Sequence, residues 1–490
     1  DVEMLVQLID AGMNICRLNF SHGDHEAHGA TVKRIREAAV RRPDKPVAIL
    51  LDTKGPEIRT GFFREDVGKS IDLKQGQDLK LVVDYSFKGD STCFAVTYDM
   101  LCSSVKPGNI ILCVDGSLSL KVKSVGSDHV ITEVMNNCKL GERKNCNLPG
   151  VKVELPVLQA KDIQDLVEFG IPQGVDFVSA SFVQNAEDVA LIRKTLGEAG
   201  KNTKIISKIE NEEGLKNFRA ICDASDGIMV ARGDLGMEIP PEKVFLAQKM
   251  MINICNTMGK PVVTATQMLE SMIGLPRPTR AEASDVSNAV LDGTDCVMLS
   301  GETANGSFPV EAVTIMRNCC QKAEAAVEFN STFAGIRQNV INLQGGIVSG
   351  VEAMASSAVE TSIDIGASLI ICLTTSGATA QVLAKYRPKC PIVAVTTSGQ
   401  AVRQMMCIRG VSPVKVDSFS DPKHDPISQA IFWAKLHGIA KPNELAVIVH
   451  GTIEEAKSKL SRRGSMYGGD MKETSGGALS NVVMLQTVPP

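Results

Sequence analysis

Short apolar runs rich in β-branched residues recur through the first part of the chain, and each leads through a polar or glycine-bearing loop into a helical pattern. The runs are residues 14–20 (NICRLNF), 47–52 (VAILLD), 175–182 (VDFVSASF), 204–210 (KIISKIE), 227–234 (GIMVARGD), 261–267 (PVVTATQ) and 295–300 (DCVMLS). Between them lie segments such as 242–257, with apolar residues at helical spacing. Strands that are apolar on both faces and alternate with helices are parallel strands covered by helices. The pattern predicts an α/β fold, either a barrel or a doubly wound sheet, and leaves that choice open.

Two stretches break the alternation. Residues 58–155 carry short alternating strands (79–84, 109–113, 117–123 and 129–135) separated by Gly, Asp, Ser and Asn, and read as an inserted all-β domain. A second α/β unit occupies 329–490, with strands expected at 368–373, 392–396, 414–416 and 445–449. The remainder, 1–57 and 156–328, forms the main α/β domain. A tail rich in Gly and Ser begins at residue 461 and is expected to pack loosely. At 490 residues, two to four domains are expected.

Composition narrows the function. A net charge of −4 gives no general attraction to nucleic acid or to an anionic membrane. One Trp and four Tyr supply few stacking platforms for single strands. No 18-residue apolar run is present, so no transmembrane helix is expected. The fourteen cysteines are scattered through apolar runs without a C-x-x-C pair, which reads as reduced, buried thiols in a cytoplasmic protein.

Chemistry gathers at the strand ends. A strand turns every second side chain to one face, so Arg17, Asn19 and Ser21 share a face, as do Lys208 and Glu210, Arg232 and Asp234, and Thr264 and Thr266. Any one pair is an ordinary salt bridge or solvated end. Repeated over four strands, the pattern points to a site at the C-terminal mouth of a barrel. Lys208 can stabilise charge developing on a phosphoryl group or an enolate oxygen. Glu210 and Asp234 offer carboxylate oxygens for Mg²⁺ or Mn²⁺. Gly233, beside Asp234, lacks a Cβ and lets backbone N–H groups approach an anion.

Other signals carry less. Val67-Gly-Lys-Ser70 imitates the end of a phosphate-binding loop, but position 63 is Phe where a Gly is needed, so it reads as a turn. His22, His25 and His28 are spaced by three and drift off one helical face, which predicts surface residues rather than a metal cluster.

At these segments the sequence resembles the pyruvate kinases, and most of all their plant cytosolic forms. The motifs are RLNFSHG (17–23), LDTKGPEIRTG (51–61), SKIE (207–210), MVARGDLGMEIP (229–240), TATQMLESM (264–272), PRPTRAEA (276–283) and DGTDCVMLSGET (292–303). The resemblance covers nearly the whole barrel region and weakens after about residue 387. It implies a TIM-type (β/α)8 barrel, an inserted β lid, a C-terminal effector-type domain and a homotetramer. The implied reaction moves a phosphoryl group from phosphoenolpyruvate to ADP, giving pyruvate and ATP.

Carried over residue by residue, the resemblance implies that Arg17 and Lys208 hold the phosphoryl group, with Gly233, Asp234 and Thr266 completing the substrate site. Glu210 and Asp234 would bind Mg²⁺, and Asn19, Ser21, Asp52 and Thr53 would bind K⁺. Asn19, Phe20, Ser21, His22, Arg59 and Lys144 would contact the nucleotide. Thr266, with Ser300 and Glu302, would support protonation of the enolate. Glu57 is acidic, as in potassium-dependent members. Residues 183–185 read Val-Gln-Asn where relatives usually carry a basic pair, and residues 114–116 (Val-Asp-Gly) hold one acid where animal members hold two.

Family members begin with a strand of the type TKIVCTLGP ahead of the helix that here starts near Asp1, so the chain is expected to supply seven barrel strands rather than eight. Two other readings stay open at this point: a barrel enzyme that stabilises a metal-bound enolate, such as a lyase or aldolase, and a non-catalytic or impaired relative. In the C-terminal unit, Thr374-Thr-Ser-Gly-Ala-Thr379 is expected to be a capped strand–helix connection ahead of a helix at Ala380 rather than an effector site. Arg462-Arg463-Gly464-Ser465 resembles a basophilic phosphorylation sequence of a common kind.

Overall fold

The computed structural model describes residues 1–420, 425–450 and 482–489. Seven parallel strands form the central sheet, in the order Ile15–Asn19, Ala48–Asp52, Phe177–Ala180, Lys204–Ile209, Gly227–Ala231, Val262–Ala265 and Cys296–Val297. All seven fall within the apolar runs, and sequential neighbours pair in register, as in Asn19 opposite Asp52 and Lys208 opposite Met229. Among the described residues the two outer strands do not pair with each other, in line with the expectation of seven strands.

Alternate residues of these strands enter two different cores. Ala48, Leu50, Phe177, Ile206, Met229, Val263 and Ala265 pack in an inner cluster. Ile49, Leu51, Val178, Ile205, Ile228, Val230 and Val262 pack in the outer cluster with residues of the helices, among them Val32 and Ile35. Both faces are therefore buried and the sheet is curled, as a barrel requires. Cys407, from far along the chain, joins the inner cluster and lies 3.9 Å from Cys296, sulfur to sulfur. All fourteen cysteines are free thiols.

The insert forms a seven-stranded sheet, mostly antiparallel, plus a two-stranded ribbon pairing Ser70–Leu73 with Cys138–Gly141. Its own core holds Leu79, Leu81, Phe94, Tyr98 and Leu120. The Val67–Ser70 segment is a turn here, with Gly68 at φ 76° leading into the first strand of that ribbon. The chain returns through Asn145–Asn147, whose Asn147 amide donates to Glu238 Oε1 at 3.0 Å on the helix Arg232–Glu238. Gln184, in the Val-Gln-Asn segment, donates from Nε2 to Val153 O, so it touches the same returning stretch.

The C-terminal unit has a five-stranded sheet in the order Val411–Lys415, Ile392–Thr396, Leu369–Leu373, Leu445–His450 and Val482–Thr487, the last antiparallel. That final strand was not expected from sequence. The rest of the Gly/Ser-rich tail and the 462–465 tetrapeptide lie outside the described residues. Thr374 Oγ1 accepts from Gly377 N, and the helix starts at Ala378, two residues before the expected position. Two arginine contacts, one half-buried and one buried, bind this unit to the main domain. Arg403 Nε donates to both oxygens of Asp176 at 2.9 and 3.0 Å, and Arg387 pairs with Asp295 at 2.7 Å.

Candidate active site

The strand register that fills the inner core also builds the site. The step of two that points Ala48 and Leu50 inward carries on to Asp52, and the one that points Ile206 inward carries on to Lys208. These polar residues stand above the apolar layer, where the strands end. A cavity of about 450 Å³ opens there, between the strand ends and the insert. Arg17, Asn19, Ser21, His22, Arg59, Lys144, Lys208, Glu210 and Asp234 all line it. Residues separated by more than 200 positions thus meet in one cleft, as the strand-end pattern predicted.

Lys208 is the centre of charge. Its Nζ lies 2.9 Å from Glu210 Oε1, 3.4 Å from Asp52 Oδ1 and 2.9 Å from Ser181 Oγ. Burial works to lower the pKa of its ammonium, but Asp52, Glu210 and Asp234 together outweigh burial and hold it above the ordinary lysine value. Burial pushes the Glu210 carboxyl up to about 7, and Asp234 adds to this against the pull of Lys208. Asp234 is raised too, chiefly by burial, and stands in hydrogen-bonding reach of Glu210. Arg17 Nε donates to Asp52 Oδ2 at 2.6 Å, which orients the guanidinium along the neighbouring strand.

The donor set suits cations. Asp52 Oδ1 and Glu210 Oε1 are buried oxygens that face the Lys208 ammonium as ion pairs without a well-directed hydrogen bond, and desolvated carboxylates of this kind attract a hard cation. Among the described residues, no group of three or more His, Cys, Asp or Glu side chains is arranged to hold a metal alone. A two-carboxylate site completed by other oxygens fits both facts. Asn19, Asp52 and Thr53 lie side by side on the first two strands and the loop beyond, with Ser21 N donating to Asn19 Oδ1.

Several expected positions behave differently. Phe20 does not reach the cavity with its side chain: the ring is fully buried, stacked on His28 at 4.2 Å and edge-on to Phe169. Hydrophobic burial wins there, and only its backbone borders the loop. The histidines form no metal cluster. His22 is exposed, His25 is half-buried against Asp165 at 2.8 Å, and His28 is half-buried and bonds His22 O.

Arg232 and Asp234 do not share a strand face, because the strand ends at Ala231 and residues Arg232–Glu238 are helical. Arg232 turns to Asp285 with two 2.7 Å bonds, while Asp234 faces Lys208. Thr264 also leaves the site: Val263 and Ala265 take the inner face, and the Thr264 hydroxyl bonds Thr294 in the buried outer layer. Gly233 N is already committed to Thr266 Oγ1. Glu302 is buried, accepting from Ser300 N and Leu269 N, and ties two rim loops together.

The sequence reading passed over Ser181, Lys54, Arg143 and Glu238, which line the same cavity as Asp115, the single acid of the 114–116 segment. Ser179 and Ser181 carried the same two-step signal as Lys208 and Glu210, but serines at strand ends are too common to stand out. Glu57 pairs with Arg59 at 2.5 Å on the cavity wall.

Comparison with known proteins agrees with this geometry. The family model described as pyruvate kinase, barrel domain, matches residues 1–313, and that for the pyruvate kinase alpha/beta domain matches 352–460. A pyruvate kinase of Eimeria tenella is 57% identical over 455 residues, covering 93% of this chain and 84% of its own. The cytosolic isozyme of Nicotiana tabacum is 46% identical, covering 92% of this chain and 91% of its own. A crystal structure of a pyruvate kinase from Cryptosporidium parvum superposes with a TM-score of 0.91 at 47% identity, covering 100% of this chain and 94% of that one. With a barrel whose rim gathers Arg17, Lys208, Glu210 and Asp234, this chain belongs to the pyruvate kinase family.

Proposed function

We infer that the cavity transfers a phosphoryl group from phosphoenolpyruvate to ADP, yielding pyruvate and ATP. The observation that carries this reading is the convergence of Arg17, Lys208, Glu210 and Asp234 on one cleft beneath a basic lid edge formed by Arg59, Arg143 and Lys144. Phosphoryl transfer needs cations placed around a charge-dispersed transition state and little covalent help from protein. Arg17 and Lys208 hold the phosphoryl oxygens, and Gly233, Asp234 and Thr266 complete the substrate site. Asn19 to His22, Arg59 and Lys144 hold the nucleotide.

Glu210 and Asp234 would hold Mg²⁺ or Mn²⁺, which when bound supplies charge neutralisation on the transferring group. Asn19, Ser21, Asp52 and Thr53 would hold K⁺; the buried Asp52 Oδ1, 3.4 Å from the Lys208 ammonium and without a well-directed hydrogen bond, supports this. Thr266, with Ser300 and Glu302 nearby, supports the proton delivery that turns enolate into pyruvate. The division into 1–57 with 156–328, 58–155 and 329–490 is supported by hydrophobic clusters confined to the insert and to the C-terminal unit. A homotetramer and a cytoplasmic location are part of the same proposal, the latter supported by fourteen free thiols and by relatives named as cytosolic isozymes.

ATP formation from phosphoenolpyruvate, assayed with and without ADP, tests the reading. ATP and pyruvate released together, only when ADP is present, are expected. Pyruvate released equally without ADP would point to lyase or phosphatase chemistry and overturn it.

A further inference from the structure

The insert joins the main domain through two crossings, which meet at Gly55 beside the residue that holds Lys208. Lys208 Nζ donates to Ser181 Oγ at 2.9 Å, and Ser181 Oγ lies 2.7 Å from the Thr53 carbonyl. A serine hydroxyl has one proton and two acceptor lone pairs. The Thr53 carbonyl can only accept and the Lys208 ammonium can only donate, so the direction of the chain is forced: Lys208 to Ser181 to Thr53. A second bond, from Ser181 N to Thr53 Oγ1 at 3.1 Å, locks the two segments together.

Two residues beyond Thr53, the outgoing crossing passes Gly55 at φ 69°, where a Cβ would sit 2.6 Å from that of Ser181. No side chain fits there, so backbone and Ser181 are in direct contact. Gly55 N donates to Asp162 Oδ1 at 3.1 Å, and the other oxygen of Asp162 accepts from Gln159 N at 2.8 Å. Gln159 opens the helix Ala160–Gln164, on the incoming crossing. Asp162 is fully buried, so the clamp is not shared with solvent.

We propose that Ser181 is a positioning residue for the reaction: it fixes the Lys208 ammonium and makes its placement depend on where the two lid crossings sit. The proposal rests on the reading of Lys208 as the phosphoryl-stabilising group. Removing the hydroxyl leaves Lys208 held only by Glu210 and Asp52, free to shift towards those carboxylates, and misplacement of about 1 Å costs on the order of 100-fold in rate.

The experiment is a double-mutant cycle on the full chain, using pyruvate release with ADP present. Ser181→Ala is expected to lower kcat roughly 10- to 100-fold, with KM for ADP nearly unchanged and the thermal melt close to wild type. In a Lys208→Met background the same Ser181→Ala change is expected to alter kcat by less than about twofold, because a residue that acts only through Lys208 has nothing left to place. Gly55→Ala keeps the hydroxyl but forces Ser181 aside, and is expected to reproduce the loss of kcat. A wild-type kcat for Ser181→Ala, or an equal loss in both backgrounds, overturns the proposal for Ser181. A wild-type kcat for Lys208→Met overturns instead the reading on which it rests. If Ser181→Ala fails to fold, Gly55→Ala in the two backgrounds carries the same cycle.

Discussion

The Gly233 amide donates to Thr266 Oγ1 at 2.7 Å, joining the first turn of the helix Arg232–Glu238 to the end of the next barrel strand. Thr266 is held at φ 71°, which is uncommon for a β-branched residue, and its own hydroxyl points at Ala265 O, 2.6 Å away. Strain kept at one threonine, with its hydroxyl beside Gly233, marks a position where the hydroxyl has a task. Thr266→Val is expected to lower kcat by about 100-fold, at the lower end of what a positioned proton-transfer group contributes. Solvent-isotope exchange into pyruvate, followed by NMR, checks whether the enolate step is the one slowed.

Lys208 sits among three carboxylates that hold it charged. Its replacement by Met leaves those carboxylates without their counter-ion and removes a preorganised donor. A fall in kcat of at least ~100-fold is expected. Turnover near wild type, measured by pyruvate release, would contradict the role.

Asn19 lies opposite Asp52 on the first two strands, with Thr53 next along and Ser21 N bonded to Asn19 Oδ1, and residue 57 is an acid rather than a lysine. Activity is therefore expected to require K⁺. Rates compared in K⁺, Na⁺ and tetramethylammonium buffers at constant ionic strength provide the check; equal rates in all three would refute it.

Arg387 reaches from the C-terminal unit into the main domain, pairing with Asp295 and donating to Gly293 O at 2.9 Å and to Asn256. Both partners of the ion pair are nearly inaccessible to water. Arg387→Met strands a buried carboxylate, a change that costs about 3–5 kcal/mol. A lowered urea midpoint is expected, and partial recovery when Asp295→Asn is added would show that the stranded charge is the cause.

Asp226 accepts from Ile205 N and Arg193 at 2.9 Å each and lies 3.4 Å from Lys204. Burial opposes its charge, but Lys204 and Arg193 outweigh burial and hold its pKa below the ordinary aspartate value of 3.8. The folded state thus binds the proton less readily than the unfolded chain. This stabilisation is fully present above pH 3.8 and is lost as pH falls through the lower folded-state value. Asp226→Asn is expected to destabilise the protein near neutral pH by about 1–3 kcal/mol, and the gap to wild type should narrow under strongly acid conditions. Denaturant curves at both ends of that range read the effect.

Much of this arrangement was legible in sequence because buried parallel strands leave unbroken apolar runs, and the seven runs mark the seven strands. Lys208 and Glu210 were legible because the inner register continues to the strand end. Asp234 was placed correctly but for an incomplete reason: periodicity alone does not tell where the strand at Ala231 gives way to a helix. Thr264 failed on the same point, since an inward step of two holds only if the inner set is known, and here Val263 and Ala265 own it. Ser181 was hidden by its ordinariness, and its importance comes from what it touches. The strand Val482–Thr487 was missed because the Gly/Ser-rich composition ahead of it masked a short apolar stretch that pairs with Leu445–His450.

Cys407 lies in the same apolar cluster as Ala48, Leu50 and Phe177. The floor of the barrel is therefore completed by a residue synthesised long after the last barrel strand has left the ribosome. Until that residue emerges, the inner cluster of the newborn barrel lacks one of its members. Chaperone engagement should then be most demanding in the interval between the two.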